Sequence, residues 1–448
     1  MQRKIRLTPV RLLVLGYLSI ILIGTVLLLL PFSTRSGESA PFMDALFTAV
    51  SASCVTGLIV RDTATYWSAF GHVVILFLIQ MGGIGFMTVV FSFWKLGGKK
   101  IGLKERTFMQ ESVNAPSLAG MVRLTTTILL GTLICEGVGT LVLCFRFIPD
   151  LGWGQGIWTS LFLSVSAFCN AGFDILGAEY GEFCSLTAYS GDPIVCITIP
   201  LLIIIGGIGF FVWQDLKDNK LHFHRYTLHT KLVLITTGLL ILIPWVLMIV
   251  AESGLPWQER ILSTFFTAVS PRTAGFNVFP LDKGGLRLVT VFLTVVLMFI
   301  GGSSGSTAGG VKTNTLATLF LSLFSLLRGK RTVECFGRRI DEENVKNASQ
   351  FVTIYLLFTI IGIILIAMFE QGNTVVPITL TDVVFEAVSA IGTVGLTLGI
   401  TPYLSIGSEI VLIFLMFLGR CGCLTFLLAL RTPSAPAALL PLEKIRIG

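Results

Sequence analysis

Charged residues are scarce in this sequence, and their scarcity excludes an ordinary soluble domain. Asp, Glu, Lys and Arg make up 13% of the 448 residues, whereas hydrophobic residues make up 54%. A soluble globular domain carries about 25% charged residues. Several apolar runs reach about 20 residues, the length that spans a bilayer as a helix. The composition therefore predicts an all-α protein that crosses the plasma membrane several times.

Cysteines with metal-ligand spacing are absent, and histidine is rare. The chain has nine cysteines and four histidines. Cys421 and Cys423 are too close together for a zinc knuckle, so we interpret the cysteines as small apolar filler. No cleavable signal peptide is expected, because the first apolar segment, 12–30, has no small-residue cleavage site before Pro31. These absences argue against a metalloenzyme, and the chain is not expected to be an enzyme.

Positive charge is distributed unevenly between the apolar segments. Of the 32 Lys and Arg residues, 23 lie at the N-terminus, in 95–123, 217–231 and 328–346, and in the C-terminal tail. An excess of Lys and Arg marks cytoplasmic loops. The net charge of +7 is therefore interpreted as a topology signal, and no nucleic-acid partner is expected. Both termini are predicted to be cytoplasmic.

The apolar segments recur in a fourfold order of span, half-span and span. Eight full spans are predicted near 10–30, 70–94, 122–147, 193–214, 229–251, 286–327 (interrupted), 350–369 and 406–430. Shorter amphipathic segments lie near 42–54, 157–169, 260–271 and 381–391. Such internal repetition predicts four structural repeats. Their bounds are 1–118, 119–224, 225–345 and 346–432, followed by a cytoplasmic tail, 433–448.

Each half-span ends in a related string that contains Val-Ser and then a glycine followed by Leu or Phe. The last three residues up to each glycine are Val55-Thr56-Gly57, Asn170-Ala171-Gly172, Thr273-Ala274-Gly275 and Thr393-Val394-Gly395. Rings of backbone carbonyl groups replace the water around a dehydrated potassium ion in channel filters. Four re-entrant segments around one axis could form such rings, although only the fourth string reads Thr-Val-Gly. The strings predict a degenerate potassium filter. Asp44 and Asp382, at matching places, are interpreted as N-terminal caps of the short helices.

A second glycine string recurs inside the later span of each repeat. Its copies begin at Gly82, Gly206, Gly301 and Gly419. A lone pair of small residues would indicate only tight helix packing. The fourfold repetition in matching order supports the repeat assignment.

The third copy extends into a small and polar stretch, 301–313, that interrupts the sixth span. Its residues are Gly301, Gly302, Ser303, Ser304, Gly305, Ser306, Thr307, Ala308, Gly309, Gly310, Val311, Lys312 and Thr313. A phosphate-binding loop is disfavoured because Val311 stands where lysine is required. An intramembrane serine hydrolase using Ser304 would need a histidine at membrane depth. The favoured interpretation is a flexible loop below the filter that can plug or open the path.

Arg420 stands in the eighth span, where the fourth glycine string has lost its second glycine. A charge inside a membrane is costly and is a functional hypothesis by default. Alignment with Gly302 places Arg420 level with the loop, where it could bond loop carbonyls and repel a cation. A purely structural partner for the loop is the alternative.

With these four repeats, the filter strings, the Gly/Ser loop and the membrane arginine, the sequence resembles the Trk/Ktr/HKT superfamily of potassium transporters. The resemblance covers residues from about 10 to 430 and is strongest to the bacterial Ktr membrane subunit. It implies a potassium-channel-like fold with one pseudo-fourfold pore per chain. It also implies that the four strings bind potassium and that 301–313 with Arg420 form the gate. Gly57 at the first filter position favours potassium over sodium in this family.

The resemblance further implies partners and an activator. Members of the family are homodimers, and the Ktr branch takes up potassium with stimulation by sodium. A cytoplasmic ring of RCK-type regulatory subunits (KtrA-like) that bind ATP or ADP gates the membrane dimer. A nucleotide is thus expected only through this partner. A sodium-coupled potassium symporter is the alternative function, and an intramembrane serine hydrolase is a remote one.

Overall fold

The chain is described here by a computed structural model. It describes residues 8–85, 121–220, 222–281 and 287–430, together with Thr88, Val89, Gly102, Thr107 and Gln110. The basic stretch 95–120 and the C-terminal tail therefore lie almost wholly outside the described residues. The described chain is helical apart from loops and one two-stranded hairpin of β1 (Glu334–Cys335) and β2 (Arg338–Arg339).

The described helices follow the predicted repeat order. In the first repeat they are α1 (Pro9–Leu28), α2 (Phe42–Ser53), α3 (Thr63–Tyr66) and α4 (Ala69–Ile84). In the second they are α5 (Met121–Leu151), α6 (Trp153–Cys169), α7 (Gly177–Tyr180), α8 (Pro193–Gly207) and α9 (Phe210–Asn219). In the third they are α10 (Leu228–Ala251), α11 (Trp257–Val269), α12 (Leu288–Phe299) and α13 (Thr313–Leu327). In the fourth they are α14 (Glu342–Glu370), α15 (Leu380–Gly392), α16 (Ile406–Cys421) and α17 (Cys423–Leu430).

Four short helices, α2, α6, α11 and α15, coincide with the predicted half-spans, and we call them the pore helices. They are enclosed by the longer helices, and in α15 every residue but one from Asp382 to Gly392 is buried. The first helix of the later span in each repeat, α4, α8, α12 or α16, is called its inner helix. Each pore helix also packs against the inner helix of the preceding repeat: α6 against α4, α11 against α8, α15 against α12, and α2 against α16. The last of these contacts joins the fourth repeat to the first, so the repeats form a closed ring.

The capping of the pore helices differs from the expectation at both positions, although Asp382 still takes part in a cap. At the start of α15 the N-cap is Thr379, and Asp382 is the third residue of the helix, where it forms a capping box with Thr379. Asp44 does not cap α2, which begins after Pro41. Its carboxylate instead accepts a hydrogen bond from Arg61 at 2.7 Å, because a cation in the same repeat lies within reach.

The inner helices are broken where the sequence predicted continuous spans. The chain turns by 91° between α8 and α9 and by 93° between α16 and α17. Gly209 and Gly422 at these breaks have φ values of +98° and +85°, and Gly85 after α4 has +86°. A left-handed φ cannot continue an α-helix. The spans predicted near 193–214 and 406–430 are therefore each bent at a glycine. The bends were not predicted, because the apolar run continues through each break and only the glycines mark it.

Four described helices are long and apolar enough to cross a membrane, and six if each bent pair is one span. Shorter apolar helices of 10–17 residues include α4, α12 and α13. The chain is thus a multi-pass membrane protein, and the count of eight spans stays a prediction. The interruption predicted at 301–313 is confirmed, since α12 ends at Phe299 and α13 begins at Thr313.

Candidate functional site

The four filter strings lie side by side and close into a ring. A Cβ atom added to Gly57 would come within 3.1 Å of Gly172 Cα, and one added to Gly172 would come within 3.1 Å of Gly275 Cα. Gly275 lies against the carbonyl oxygen of Val394. A Cβ atom on Gly395 would come within 2.9 Å of Gly57 Cα, which completes the circle. The structure therefore brings all four predicted strings together, with room for no side chain at their glycines.

The backbone conformation of the strings is the same in all four repeats. The first residue of each string has a positive φ: 58° at Val55, 60° at Asn170, 77° at Thr273 and 52° at Thr393. The closing glycines also have positive values, between 70° and 92°, whereas the middle residues do not. Left-handed φ values at non-glycine residues cost on the order of 1–3 kcal/mol each and cluster at functional sites. The positive φ values and the closed ring therefore mark the four strings as the candidate functional site.

The serine of the Val-Ser pair holds the filter backbone, a role that the sequence prediction missed. Ser51 Oγ accepts the N–H of Gly57 at 3.1 Å, and Ser389 Oγ accepts the N–H of Gly395 at 3.1 Å. The carbonyl groups of the four serines also accept from the second filter residues. These bonds are Thr56 N to Ser51 O at 2.8 Å, Ala171 N to Ser166 O at 2.7 Å, Ala274 N to Ser270 O at 2.9 Å and Val394 N to Ser389 O at 2.9 Å. The recurrence of Val-Ser was the signal for this role.

The other two serine side chains are used differently. Ser270 Oγ donates to the carbonyl oxygen of Phe276, beyond the third filter string. Ser166 Oγ is buried and has no hydrogen-bond partner in the described structure. The ring is therefore fourfold in its backbone and unequal in its side-chain support.

Side-chain oxygen atoms surround the end of the ring that is nearer the pore helices. Asn170 Nδ2 donates to Thr273 Oγ1 at 3.3 Å, while Asn170 Oδ1 and Thr393 Oγ1 are buried and have no hydrogen-bond partner among the described residues. Buried polar atoms are normally paired. Oxygen atoms left over at this position suit a cation as a further partner, and Val55 leaves the first repeat apolar here.

The loop 301–313 lies directly beneath this end of the ring. A Cβ atom on Gly309 would clash with Thr393 Oγ1, and one on Gly301 would come within 3.2 Å of Thr273 Cγ2. Thr307 Oγ1 donates to Phe168 O at 3.2 Å, two residues before the second filter string. The predicted position of the loop below the strings is thus observed.

Arg420 fastens the loop to two other repeats. Its guanidinium donates to the carbonyl oxygen of Thr307 and to those of Gly82 and Gly83, the last at 3.1 Å. The expected contact with a loop carbonyl is present. The contact with the first repeat was not foreseen, although Gly82 and Gly83 belong to the same recurring string as Arg420.

Lys312 adds a second cation to the loop. Its Nζ donates to the carbonyl oxygen of Ala308 at 2.6 Å. None of the ion pairs in the described part of the chain includes Lys312 or Arg420. Two basic side chains outside these ion pairs, each bonded to backbone carbonyl groups, therefore stand beneath the ring. They border a cavity of about 430 Å³ that the loop, α1 and α16 enclose.

Ser304 has no catalytic surroundings. Its Oγ donates to Asn314 Oδ1 at 3.0 Å. The imidazole of His72 bonds the carbonyl oxygen of Thr63 near the opposite end of α4. Within the described residues no histidine makes a hydrogen bond to Ser304, so the arrangement does not support the hydrolase alternative.

Two buried carboxyl groups in the membrane support the site from behind. Glu136 accepts from Gln80 at 3.1 Å and lies 3.9 Å from Cys169 Sγ, beside the second filter string. Glu386 accepts from Thr401 at 2.9 Å and from Thr397, both beyond the fourth filter string. The sequence prediction gave Glu136 no role. Its partners come from other helices and could not be read from local spacing.

A closed ring of four glycine-containing strings inside a multi-pass helical bundle defines a channel-like membrane transport protein. The chain belongs to the TrkH family of cation transport proteins, whose model matches residues 13–438. It is thus a transporter rather than an enzyme.

Individual relatives agree over nearly the full length. The chain is 39% identical over 457 residues to the potassium/sodium uptake protein NtpJ of Enterococcus hirae, covering 99% of this chain and 98% of that one. It is 41% identical over 429 residues to the Ktr system potassium uptake protein B of Bacillus subtilis, covering 94% and 93%. The Trk/Ktr resemblance is confirmed.

A solved structure confirms the fold class. The crystal structure of the potassium transporter TrkH from Vibrio parahaemolyticus matches with a TM-score of 0.74 at 18% identity, covering 97% of this chain and 87% of that one. At this identity the likeness establishes the shared fold.

Proposed function

We propose that the chain takes up potassium across the cell membrane through the ring, down the electrochemical gradient. The observation that carries the proposal is the closed ring of four strings with identical backbone handedness. Relatives named as potassium uptake proteins share most of the chain's length. In this proposal the ring residues of all four strings bind the ion, and potassium is the transported substrate.

The test replaces a ring glycine by serine. Gly395→Ser and Gly57→Ser add a Cβ atom where the neighbouring backbone leaves no room, at a left-handed φ. A strain on the order of 1–3 kcal/mol at such a position corresponds to a loss of potassium flux or selectivity of about fivefold to about a hundredfold, since about 1.4 kcal/mol is tenfold. Potassium flux and its sodium competition would be measured in liposomes.

Gly399→Ser is the matched control. Gly399 has φ +88°, close to the +92° of Gly395, but nothing lies within 4 Å of an added Cβ atom. Gly399→Ser therefore introduces similar backbone strain without a contact to a neighbouring filter string. Unchanged flux and selectivity in both ring variants would sink the filter assignment, and equal losses in Gly399→Ser would attribute them to strain alone.

We propose that 301–313 with Arg420 is the gate of this pore. The loop lies beneath the ring, and Arg420 binds its Thr307 carbonyl. Deleting most of 303–312, or Arg420→Ala, is expected to raise potassium flux because each removes a positive charge or the plug below the ring. Arg420→Lys keeps the charge and loses the planar fork that serves several carbonyls. Higher flux in Arg420→Ala but not in Arg420→Lys would indicate charge repulsion. Higher flux in both substitutions would indicate that the hydrogen bonds of Arg420 hold the loop. Unchanged flux in the deletion and in both substitutions would remove the gating role.

We propose further that the chain works as a homodimer with a cytoplasmic ring of nucleotide-binding regulatory subunits, and that sodium stimulates it. Relatives carry the name of a Ktr system, and the basic loop 328–346 offers a contact on the side opposite the filter. In this proposal both termini are cytoplasmic. Flux with and without a cytosolic RCK-type partner, at fixed ATP or ADP, tests this arrangement.

Sodium-coupled symport is the second candidate. It is favoured by the relative named as a potassium/sodium uptake protein. A fixed sodium-to-potassium ratio in paired flux measurements would establish coupling. Potassium flux that continues in sodium-free medium would establish the channel-like path.

A further inference from the structure

The inner helix of the second repeat breaks beside the loop, and the break leaves backbone groups without helical partners. α8 ends at Gly207 and α9 begins at Phe210, at an angle of 91°. Gly209 between them has φ +98°. The last carbonyl groups of a helix and the first N–H groups of the next need partners outside their own helices.

The loop 301–313 supplies three of these partners. The bonds are Ser303 N to Gly207 O at 2.9 Å, Thr307 N to Gly206 O at 3.3 Å and Phe210 N to Gly305 O at 2.7 Å. Two loop N–H groups thus close the end of α8, and one loop carbonyl closes the start of α9. The loop is docked on the break by backbone groups alone.

A continuous helix through this segment would use the same groups for itself. Phe210 N would donate to Gly206 O, and Phe211 N would donate to Gly207 O. Because Phe210 has a single N–H, it can serve either Gly206 or Gly305. A straight inner helix and a docked loop therefore exclude each other. The docked arrangement makes three of these bonds and the continuous helix would make two, so a modest free-energy bias shifts the balance between them.

Trp213 on α9 provides a bias toward the bent arrangement. Its Nε1 donates to Ile205 O at 3.0 Å, across the break. In a continuous helix these two residues would stand about 12 Å apart along the axis, too far for this bond. The indole of Trp213 also packs on the phenyl ring of Phe168, at 5.7 Å between centroids. A Cβ atom on Gly131 would come within 2.6 Å of the indole. The hydrogen bond from Trp213 to Ile205 therefore requires the bent arrangement.

The docked loop also reaches the ring from this side. Thr307 donates through its N–H to Gly206 and through Oγ1 to Phe168, and its carbonyl accepts from Arg420. All three of its polar groups are used, and the residue is fully buried. Straightening of α8 and α9 would remove the first of these bonds and disturb the packing of Phe168.

We propose that the break between α8 and α9 holds the loop closed, and that Trp213 is the positioning residue that keeps the break bent. The inference rests on the proposed role of the loop as gate. Straightening the inner helix of the second repeat withdraws the partners of the loop and opens the pore.

The test is potassium flux through the full-length chain in liposomes without a cytosolic partner. Gly209→Ala disfavours the left-handed φ and places a Cβ atom 2.9 Å from Ser304 O, and it is expected to raise flux about tenfold. Trp213→Phe keeps an aromatic ring, removes the bond to Ile205, and is expected to raise flux about threefold.

The controls are matched in chemistry and lie away from the loop. Trp245 Nε1 donates to Ile261 O at 3.1 Å, and Trp245→Phe removes a similar bond. Gly181 has φ +106° and open space around an added Cβ atom, and Gly181→Ala repeats the left-handed strain without a contact to the loop. Both controls are expected to leave flux unchanged.

The same variants in a chain that lacks 303–312 distinguish a latch from a structural defect. With no loop to hold, Gly209→Ala and Trp213→Phe are expected to add nothing to the flux of the deletion. A further change there would overturn the proposal, as would unchanged or reduced flux of both variants in the intact chain. If the deletion itself fails to raise flux, the gating role fails. If only the deletion raises flux, this inference alone fails.

Discussion

One side chain, Ser389, supports the best-preserved filter string from behind. Its hydroxyl accepts the N–H of Gly395 and its carbonyl accepts the N–H of Val394. Ser389→Ala removes the first bond and leaves a buried N–H unpaired. Such a loss costs about 1–3 kcal/mol. We expect lower thermal stability in detergent and weaker discrimination of potassium against sodium in liposome flux.

The repeats provide a control for this prediction. Ser166 occupies the same place in the second string and is equally buried, and its hydroxyl has no hydrogen-bond partner in the described part of the chain. Ser166→Ala is therefore expected to be neutral or slightly stabilising. Equal losses in the two alanine variants would show that the serine hydroxyl fills space and does not hold the string.

Arg420 shows how far sequence reasoning reaches at the scale of a residue. Its depth and its contact with the loop followed from alignment with the recurring glycine string. Its bonds to Gly82 and Gly83 depend on how the first and fourth repeats meet, which no local pattern records. The prediction that Asp44 caps α2 was wrong for the same reason, because its partner Arg61 lies 17 positions away in the chain.

At the scale of elements, the pore helices were predictable and the bends were not. A half-span before a glycine string repeats four times, and repetition made each copy informative. The breaks at Gly209 and Gly422 lie inside apolar runs long enough to span a membrane. An apolar run fixes burial but not direction. The direction of the chain there depends on positive φ values and on partners such as the loop.

The start of α15 carries an element-scale prediction. The carboxylate of Asp382 accepts the N–H and the hydroxyl of Thr379, each at 2.8 Å, and it is buried. Asp382→Ala removes this half of the capping box and is expected to cost about 1–2 kcal/mol of stability. The shift in unfolding temperature of the purified protein measures it.

Asp44→Ala at the matching place in α2 is the comparison. Its partner Arg61 is 51% exposed, and exposed ion pairs contribute about 0–1 kcal/mol. The shift is therefore expected to be smaller than for Asp382→Ala. An equal or larger shift would mean that the negative charge near the helix start matters more than the capping box.

At the scale of the whole molecule, four unequal repeats build one closed ring. The contact between α2 and α16 joins the first repeat to the fourth, and Gly395 meets Gly57 at the same junction. Ring closure follows from the order of repeats and could be predicted in outline. The differences among the repeats could not be predicted. They lie in which serine side chain has a hydrogen-bond partner and in which filter residues carry a side-chain oxygen.

If only the closed ring binds potassium, potassium must stabilise the folded state of the whole chain. A ligand that binds the folded state alone adds about 2.7 kcal/mol of stability at 100 times its dissociation constant. Unfolding of the purified chain is therefore expected at a higher temperature in potassium chloride than in N-methylglucamine chloride at equal ionic strength. Gly395→Ser is expected to lose this difference, whereas Gly399→Ser is expected to keep it. The same unfolding temperature of the unaltered chain in both salts would mean that the closed ring does not hold potassium, because a stabilising ligand cannot bind without raising the stability of the state it binds.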